Sequence, residues 1–512
     1  MKGGGLEGGI SWLLMAQGGC RRGCRRYPRC GRPVRGRLPF RGRVLGFLPV
    51  TAIFTWFRRQ TARRQAVLLG SLSLFPPLLW WLGWFPGFVS SDTVDQLGQV
   101  ERSEFSNQHP AIHTILMWIV TRVWDHPGAI SLIQVMLLAA VLAFLAGRLS
   151  ELGLAPGWAG GLVVAIAALP AVSATTIAIW KDVPFTIALL WAFGETLGFA
   201  ARPERWEQRW PPIRLGLAVG AVWLLRHNGF LTTVPFLATL VWLRRRKRSG
   251  VFPAAGAAGA VVVAVTLLLY PLMGVDRGSI EPATVFISDV AASYRHEPGN
   301  FDEAEVDYLA SIAPLDVWRT GYDCHDSTPL VFSPEFDAEV IAADPGRFRR
   351  LVADTYLRDL DTVLGHRWCA ASYLVVPWQP DDGYFHRPPF EIAPNDLGIV
   401  RRPISDRAYA VTLAVFRWAE PAGRLWLTWR PGLAIVGGLA VLAWMGWRRR
   451  LNGLGPGIAL FGFQLANVAV TTPAEEFRFA FGLYVIGLLW IAVAVARLLP
   501  PGSRSKSTLR GR

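Results

Sequence analysis

A series of apolar runs, several of them approaching the length needed to cross a bilayer, leaves this chain little choice but a bundle of membrane-crossing helices. They lie at residues 66–85, 129–147, 158–179 with an interruption at Pro170, 183–200, 213–226, 229–243, 251–273, 431–447, 455–471 and 479–498. At 512 residues, with 52% hydrophobic content and 23 Trp, the chain is too apolar for a soluble protein of its length. The expected fold is an all-α polytopic membrane protein with about ten transmembrane helices.

The formal charge of +16 suggests nucleic acid until it is located along the chain. Residues 1–65 carry fifteen Lys or Arg against the single acid Glu7, and residues 497–512 carry five against none. The rest is slightly acidic, so the tails read as topogenic and lipid-facing, and no nucleic-acid partner is expected. Arginine clusters at 58–64, 202–214, 244–248 and 448–450 fall on one side of a ten-span topology, as the positive-inside rule requires. Both termini are then cytoplasmic, in a plasma (inner) membrane of bacterial type. The count closes only if residues 109–124 lie along the surface instead of crossing.

The expected organisation has five parts. Residues 1–65 form a basic, largely disordered tail with an interfacial segment near 44–57, and 66–273 form the transmembrane core with a first external loop at 86–128. An α-rich extracytoplasmic insertion follows at 274–430, then helices at 431–498 and a basic tail at 499–512. The insertion carries 24 acids against 15 bases, and short helical patterns occur at 302–312, 334–343 and 348–364. Cys20, Cys24 and Cys30 lack the further ligands of a zinc site, whereas Cys324 and Cys369 can pair if the insertion meets an oxidising compartment. The apolar run 10–16 is too short for a signal-peptide core and precedes the arginines, so no cleavage is expected.

Four polar clusters converge on the outer face of this topology. In SSDTVDQ, Asp92 or Thr93 can serve as helix cap, with Thr93 and Gln96 at capping-box spacing. A carboxylate at the mouth of a bundle can also act as a general base, Asp92 first and Asp95 three residues on. In WKDVP, Lys181 and Asp182 are either an interfacial anchor or a phosphate site, since charges at mid-bilayer are costly. In LLRHNGF, Arg226, His227 and Asn228 supply a charged fork, an imidazole and an amide within one turn, more than a plain hairpin needs. In TTPAEEFRF, Glu475 can simply pair with Arg478, or Glu475 and Glu476 can face substrate while Arg478 neutralises a phosphate. His109 and His113, four residues apart, have the spacing of a two-histidine metal site with Asp92 as an oxygen donor. No HExxH-type motif accompanies them, so no metal is assigned and a divalent ion stays an alternative. No P-loop, dinucleotide fingerprint or serine nucleophile elbow is present.

In the order of these motifs (SSDTVDQ, HPAIH, WKD, RHNG, EFRF) the chain resembles the GT-C superfamily of integral-membrane glycosyltransferases. It is most similar in layout to the protein O-mannosyltransferase and lipid A aminoarabinose transferase group (family 39-like). The resemblance spans residues 66–273 and, more loosely, the last three apolar runs; it does not reach the insertion. It implies surface helices in the first external loop and transfer of a sugar from a polyprenyl-phosphate donor to an acceptor hydroxyl at the extracytoplasmic face, in cell-envelope glycoconjugate synthesis. Asp92 would be the base, with His109 orienting it or contacting the donor. Lys181, Arg226 and Arg478 would hold the donor phosphate, and His113, Asp182, His227, Asn228, Glu475 and Glu476 would line the substrate. Relatives often carry an adjacent Asp-Glu pair where this chain has Asp92-Thr93. Two other classes compete: a transporter or flippase of lipid-linked sugars, which tends to carry inverted repeats and mid-membrane charges, and a non-catalytic assembly protein.

Overall fold

The computed structural model describes residues 50–498 apart from 246–249, 277–283, 382–384, 386 and 389–390, and all regular elements among them are helices. Contacts divide the chain into two units, 1–54 and 55–512. Expectations for the 1–49 tail with its three cysteines, for most of the interfacial segment, for part of the 244–248 cluster and for 499–512 lie outside the described residues. The tail assigned to 1–65 is not irregular throughout: residues 50–59 are helical, and the next helix begins at Ala62, capped by the Thr61 hydroxyl.

Each of the ten apolar runs folds as helix, but not to equal lengths. Five helices are long and apolar enough to cross a bilayer: Ala62–Gly83, Pro127–Leu152, Asp182–Ala201, Val251–Leu272 and Phe477–Leu498. Two bent pairs, Pro156–Ala168 with Pro170–Thr176 (69°) and Ala422–Thr428 with Gly432–Trp447 (40°), raise the number to seven. The 69° break falls where Pro170 withholds a backbone donor. Three further runs make helices of 16, 14 and 17 residues, at Trp210–Leu225, Phe230–Leu243 and Gly455–Thr471. At 1.5 Å per residue they reach about 21–26 Å, short of the ~30 Å hydrocarbon core. The chain is an all-α membrane protein with five to seven candidate spans.

Burial separates the long helices by depth in the bundle. Phe477–Leu498 and Asp182–Ala201 are largely enclosed, with Phe193 packed edge-on against Trp490 at 5.2 Å. Val251–Leu272 is mostly exposed along its length, as a helix facing lipid would be.

The loop at 86–128 contains two helices, Ser91–Arg102 and Ala111–Thr121. The polar region 274–430 divides in two. Residues 284–352 build their own core around Ile287, Tyr294, Leu309 and Trp318, with the Glu303–Ile312 helix closed by an Asp302/Glu305 capping box. Asp406–Ala419 instead joins the main core. Trp84 donates to the Thr412 hydroxyl at 2.8 Å, and an aromatic chain runs Trp84, Phe416, Trp429, Phe477 with centroids 5.7–6.1 Å apart. That chain fixes the loop entering Asp92 relative to the turn carrying Arg478. Cys324 and Cys369 are joined as a disulfide, Cα atoms 5.8 Å apart.

Candidate functional site

Short backbone pairings bring the four polar clusters to one end of the bundle. Phe88 pairs with Ala178: the Phe88 N–H donates to Ile177 and the Ile179 N–H to Phe88, at 3.1 and 3.0 Å. The Thr93 hydroxyl then donates to the Ile179 carbonyl at 2.7 Å and the Trp180 indole to the Ser90 hydroxyl at 2.9 Å. SSDTVDQ and WKD are thus fastened side by side. Gly87 makes the approach possible: its φ is +121°, and a Cβ there would sit 2.4 Å from the Ile177 oxygen.

The RHNG turn is held in the same way. Asn228 donates to the Thr471 hydroxyl at 2.6 Å, Asn467 donates to the Asn228 carbonyl at 3.1 Å, and a Cβ on Gly229 would meet the Val222 oxygen at 2.3 Å. The His227 ring contacts the Gln108 carbonyl at 3.2 Å, next to His109. The last cluster leans on the module at 284–352: Asp326 pairs with Ala474, the Glu475 N–H donates to His325 at 2.8 Å, and the Ser327 N–H donates to Pro473 at 3.2 Å.

Ser90, not Asp92 or Thr93, caps the first loop helix, its hydroxyl accepting from the Thr93 N–H at 3.4 Å. The Thr93/Gln96 capping box does not form, because Thr93 is spent on Ile179 and Gln96 donates to the Thr114 hydroxyl at 3.0 Å. Asp92, relieved of capping, accepts from Arg478 Nη1 at 2.9 Å across 386 residues of sequence. Arg478 also grips Glu476 and lies over the rings of Trp180 and Phe479, both at 5.1 Å. Arg226 lies over the same Phe479 ring at 5.0 Å and pairs with Asp182 Oδ1 at 2.8 Å. Lys181 Nζ is 2.9 Å from His109 Nδ1. Three cations (Lys181, Arg226, Arg478) therefore share one neighbourhood with three carboxylates (Asp92, Asp182, Glu476).

Burial raises the Asp92 carboxyl, but Arg478, His109 and Lys181 together outweigh it and hold the group below its ordinary 3.8. It is ionised at neutral pH. Burial, and then the charges of Lys181 and His109, push the His113 imidazole down to about 3, so it is a neutral hydrogen-bond partner, 3.3 Å from Gln96 Oε1. Asp182 is fully buried, and its Oδ2 has no hydrogen-bond partner among the described residues.

Two expected site residues stand apart. Asp95 is exposed and accepts from Gln99 at 2.8 Å. Glu475 is fully buried among Arg430 (2.9 Å), His325 (3.0 Å) and Ser372 (3.2 Å), and does not pair with Arg478. Neither Arg430 nor His325 carries a local signal in the sequence, since each meets Glu475 across 45 or more residues. Phe479, between the two guanidiniums, was visible only as part of EFRF. Asp92, His109 and His113 do not assemble as a ligand set. Among the described residues the one such grouping is Cys324, His325 and Cys369, two of which form the disulfide.

A family model described as a family of unknown function (DUF6020) matches residues 99–333, less than half of the chain. The matched stretch takes in His109, His113, Lys181, Asp182 and the RHNG turn, but neither Asp92 nor Arg478. No curated protein matches the chain in sequence. Among solved structures, the S. cerevisiae protein O-mannosyltransferase Pmt1–Pmt2 complex bound to the sugar donor is similar at 19% identity and a TM-score of 0.33. That similarity covers 44% of this chain, which spans about a third (35%) of the solved one.

Proposed function

We propose that the chain is a membrane glycosyltransferase of GT-C type that moves a sugar from a polyprenyl-phosphate donor to an acceptor hydroxyl at the extracytoplasmic face. The observation that carries this reading is the contact between the Asp92 carboxylate and the Arg478 guanidinium, with Lys181 and Arg226 in the same cluster. A proton acceptor and phosphate-binding cations are the two parts a single displacement needs. The Cys324–Cys369 disulfide supports an oxidising, extracytoplasmic setting for the module that braces the site.

In the reaction, the acceptor oxygen attacks the anomeric carbon while the bond from that carbon to the phosphate oxygen breaks. The bonding pair leaves on the polyprenyl phosphate, and the hydroxyl proton passes to Asp92. Arg226 and Arg478 are each matched by a carboxylate before donor arrives, so a donor phosphate competes for Arg478. Drawing Arg478 toward phosphate weakens its hold on Asp92 and makes that carboxylate a stronger base when the donor is in place. Asp182 Oδ2, buried and with no hydrogen-bond partner among the described residues, is suited to accept a hydrogen bond from a sugar hydroxyl.

The test is incubation of purified protein, in vesicles, with a panel of radiolabelled polyprenyl-phosphate sugars. Release of labelled polyprenyl-free sugar or glycoconjugate supports transfer; movement of intact sugar-lipid across the vesicle without cleavage overturns it in favour of a flippase. The pH profile offers a second check. Asp92 with its lowered pKa serves as base across the neutral range, and activity falls only as pH drops through that lowered value. In Arg478→Gln burial loses the largest charge that opposes it, so the acid limb moves to higher pH. An unmoved limb would remove Asp92 from the rate-determining protonation.

A further inference from the structure

At the other end of the bundle, roughly 20 Å along Asp182–Ala201 from Asp182, two buried glutamates gather five arginines. Glu151 Oε2 meets Arg148 at 2.8 Å and Arg205 at 3.4 Å, while its Oε1 meets Arg63 at 3.2 Å and Arg202 at 3.9 Å. Glu195 meets Arg148 at 3.3 Å and Arg214 at 2.7 Å. Arg148 and both glutamates are 1% exposed, whereas Arg63, Arg202 and Arg214 are 46%, 54% and 39% exposed. The glutamates thus orient three outward guanidiniums without neutralising the group. Adding the neighbouring Glu204 and Glu207, together with Arg209 and Arg244, still leaves it positive, seven arginines to four glutamates.

Exposed tryptophans mark this end as the level of lipid headgroups. Trp158, Trp210, Trp242 and Trp447 are 61–77% exposed, and Arg209, Arg245 and Arg448 lie over the last three at 5.2–5.6 Å. Interfacial indoles at helix ends are the usual anchors of a membrane boundary. The same end is closed by Arg497, which donates to the Ala200 and Asn452 carbonyls at 3.4 Å.

We propose that Arg63, Arg202 and Arg214 form a binding site for the phosphate of an anionic phospholipid headgroup. Guanidiniums offer paired donors to phosphate oxygens, and the fixed glutamates pre-orient them, so the site needs no rearrangement to receive one. An anionic headgroup supplies the negative charge that two carboxylates leave short.

Purified full-length protein in zwitterionic detergent, titrated with short-chain phosphatidylglycerol, phosphatidylcholine and inorganic phosphate, tests this by native mass spectrometry and by the change in unfolding temperature. Phosphatidylglycerol is expected to bind and stabilise the wild-type chain, and R63Q/R202Q/R214Q to bind it about a hundredfold more weakly. R202Q alone, whose side chain is half in solvent, keeps its fold and should lose about fivefold. Equal affinity in R202Q and wild type, or equal binding of phosphatidylcholine, overturns the site. Inorganic phosphate binding as tightly as the lipid overturns the lipid assignment in favour of a soluble anion. None of these readings depends on sugar transfer.

Discussion

Replacing Asp92 by Asn is expected to lower sugar transfer by roughly a hundredfold to ten-thousandfold, the range by which a positioned base accelerates a proton transfer. The amide keeps the size of the side chain and can still accept from Arg478 through its oxygen, so the helix cap at Ser90 and the packing of the loop are untouched. What it loses is the capacity to take the acceptor's proton. Membrane insertion and solubilised yield should match wild type, and donor binding should persist, because Lys181 and Arg226 remain. Transfer at the wild-type rate in Asp92→Asn would sink the role of Asp92 as base.

The largest expected effect on stability lies three residues before Arg478, at a pair that touches no substrate in this scheme. Arg430 and Glu475 are both fully buried, 2.9 Å apart. Removing one partner of such a pair costs about 3–5 kcal/mol, because the other charge stays in the interior uncompensated. Arg430→Met should therefore shift denaturant unfolding of the solubilised protein strongly, while R430M/E475M should recover much of the loss by removing both charges. If the double variant is no more stable than R430M, the cost comes from the other contacts of the Arg430 guanidinium, such as its place over the Phe385 ring, and not from the stranded charge.

How much of this could be read beforehand follows the range of the interactions involved. Helices were legible because apolar length and local caps are short-range signals: the Asp302/Glu305 box closes the helix where the pattern placed it. The short helix Ala111–Thr121 was legible for the same reason, with Pro110 at its cap position. The cap at Ser90 stands two or three residues before the expected one because Ser90, Asp92 and Thr93 are all cap formers, and only the distant carbonyl of Ile179 decides where Thr93 goes. The isolation of Glu475 from Arg478 could not be seen at all. Three residues apart, they suggest a helical pair, but Glu475 lies before the last helix begins and turns toward His325 and Arg430. Asp406–Ala419 has the composition of an external segment and lies in the main core, because Thr412 and Phe416 meet Trp84 across more than 300 residues.

The turn from Pro473 to Arg478 faces two ways. Its first half is stitched by main-chain pairing to 325–327, and its second half grips Asp92. A swap of the 284–352 module between related chains would therefore exchange more than an accessory surface. Any transplant that lacks the His325–Ser327 seam leaves the Arg478 clasp without its anchorage, so the module and the Asp92–Arg478 contact must be inherited together.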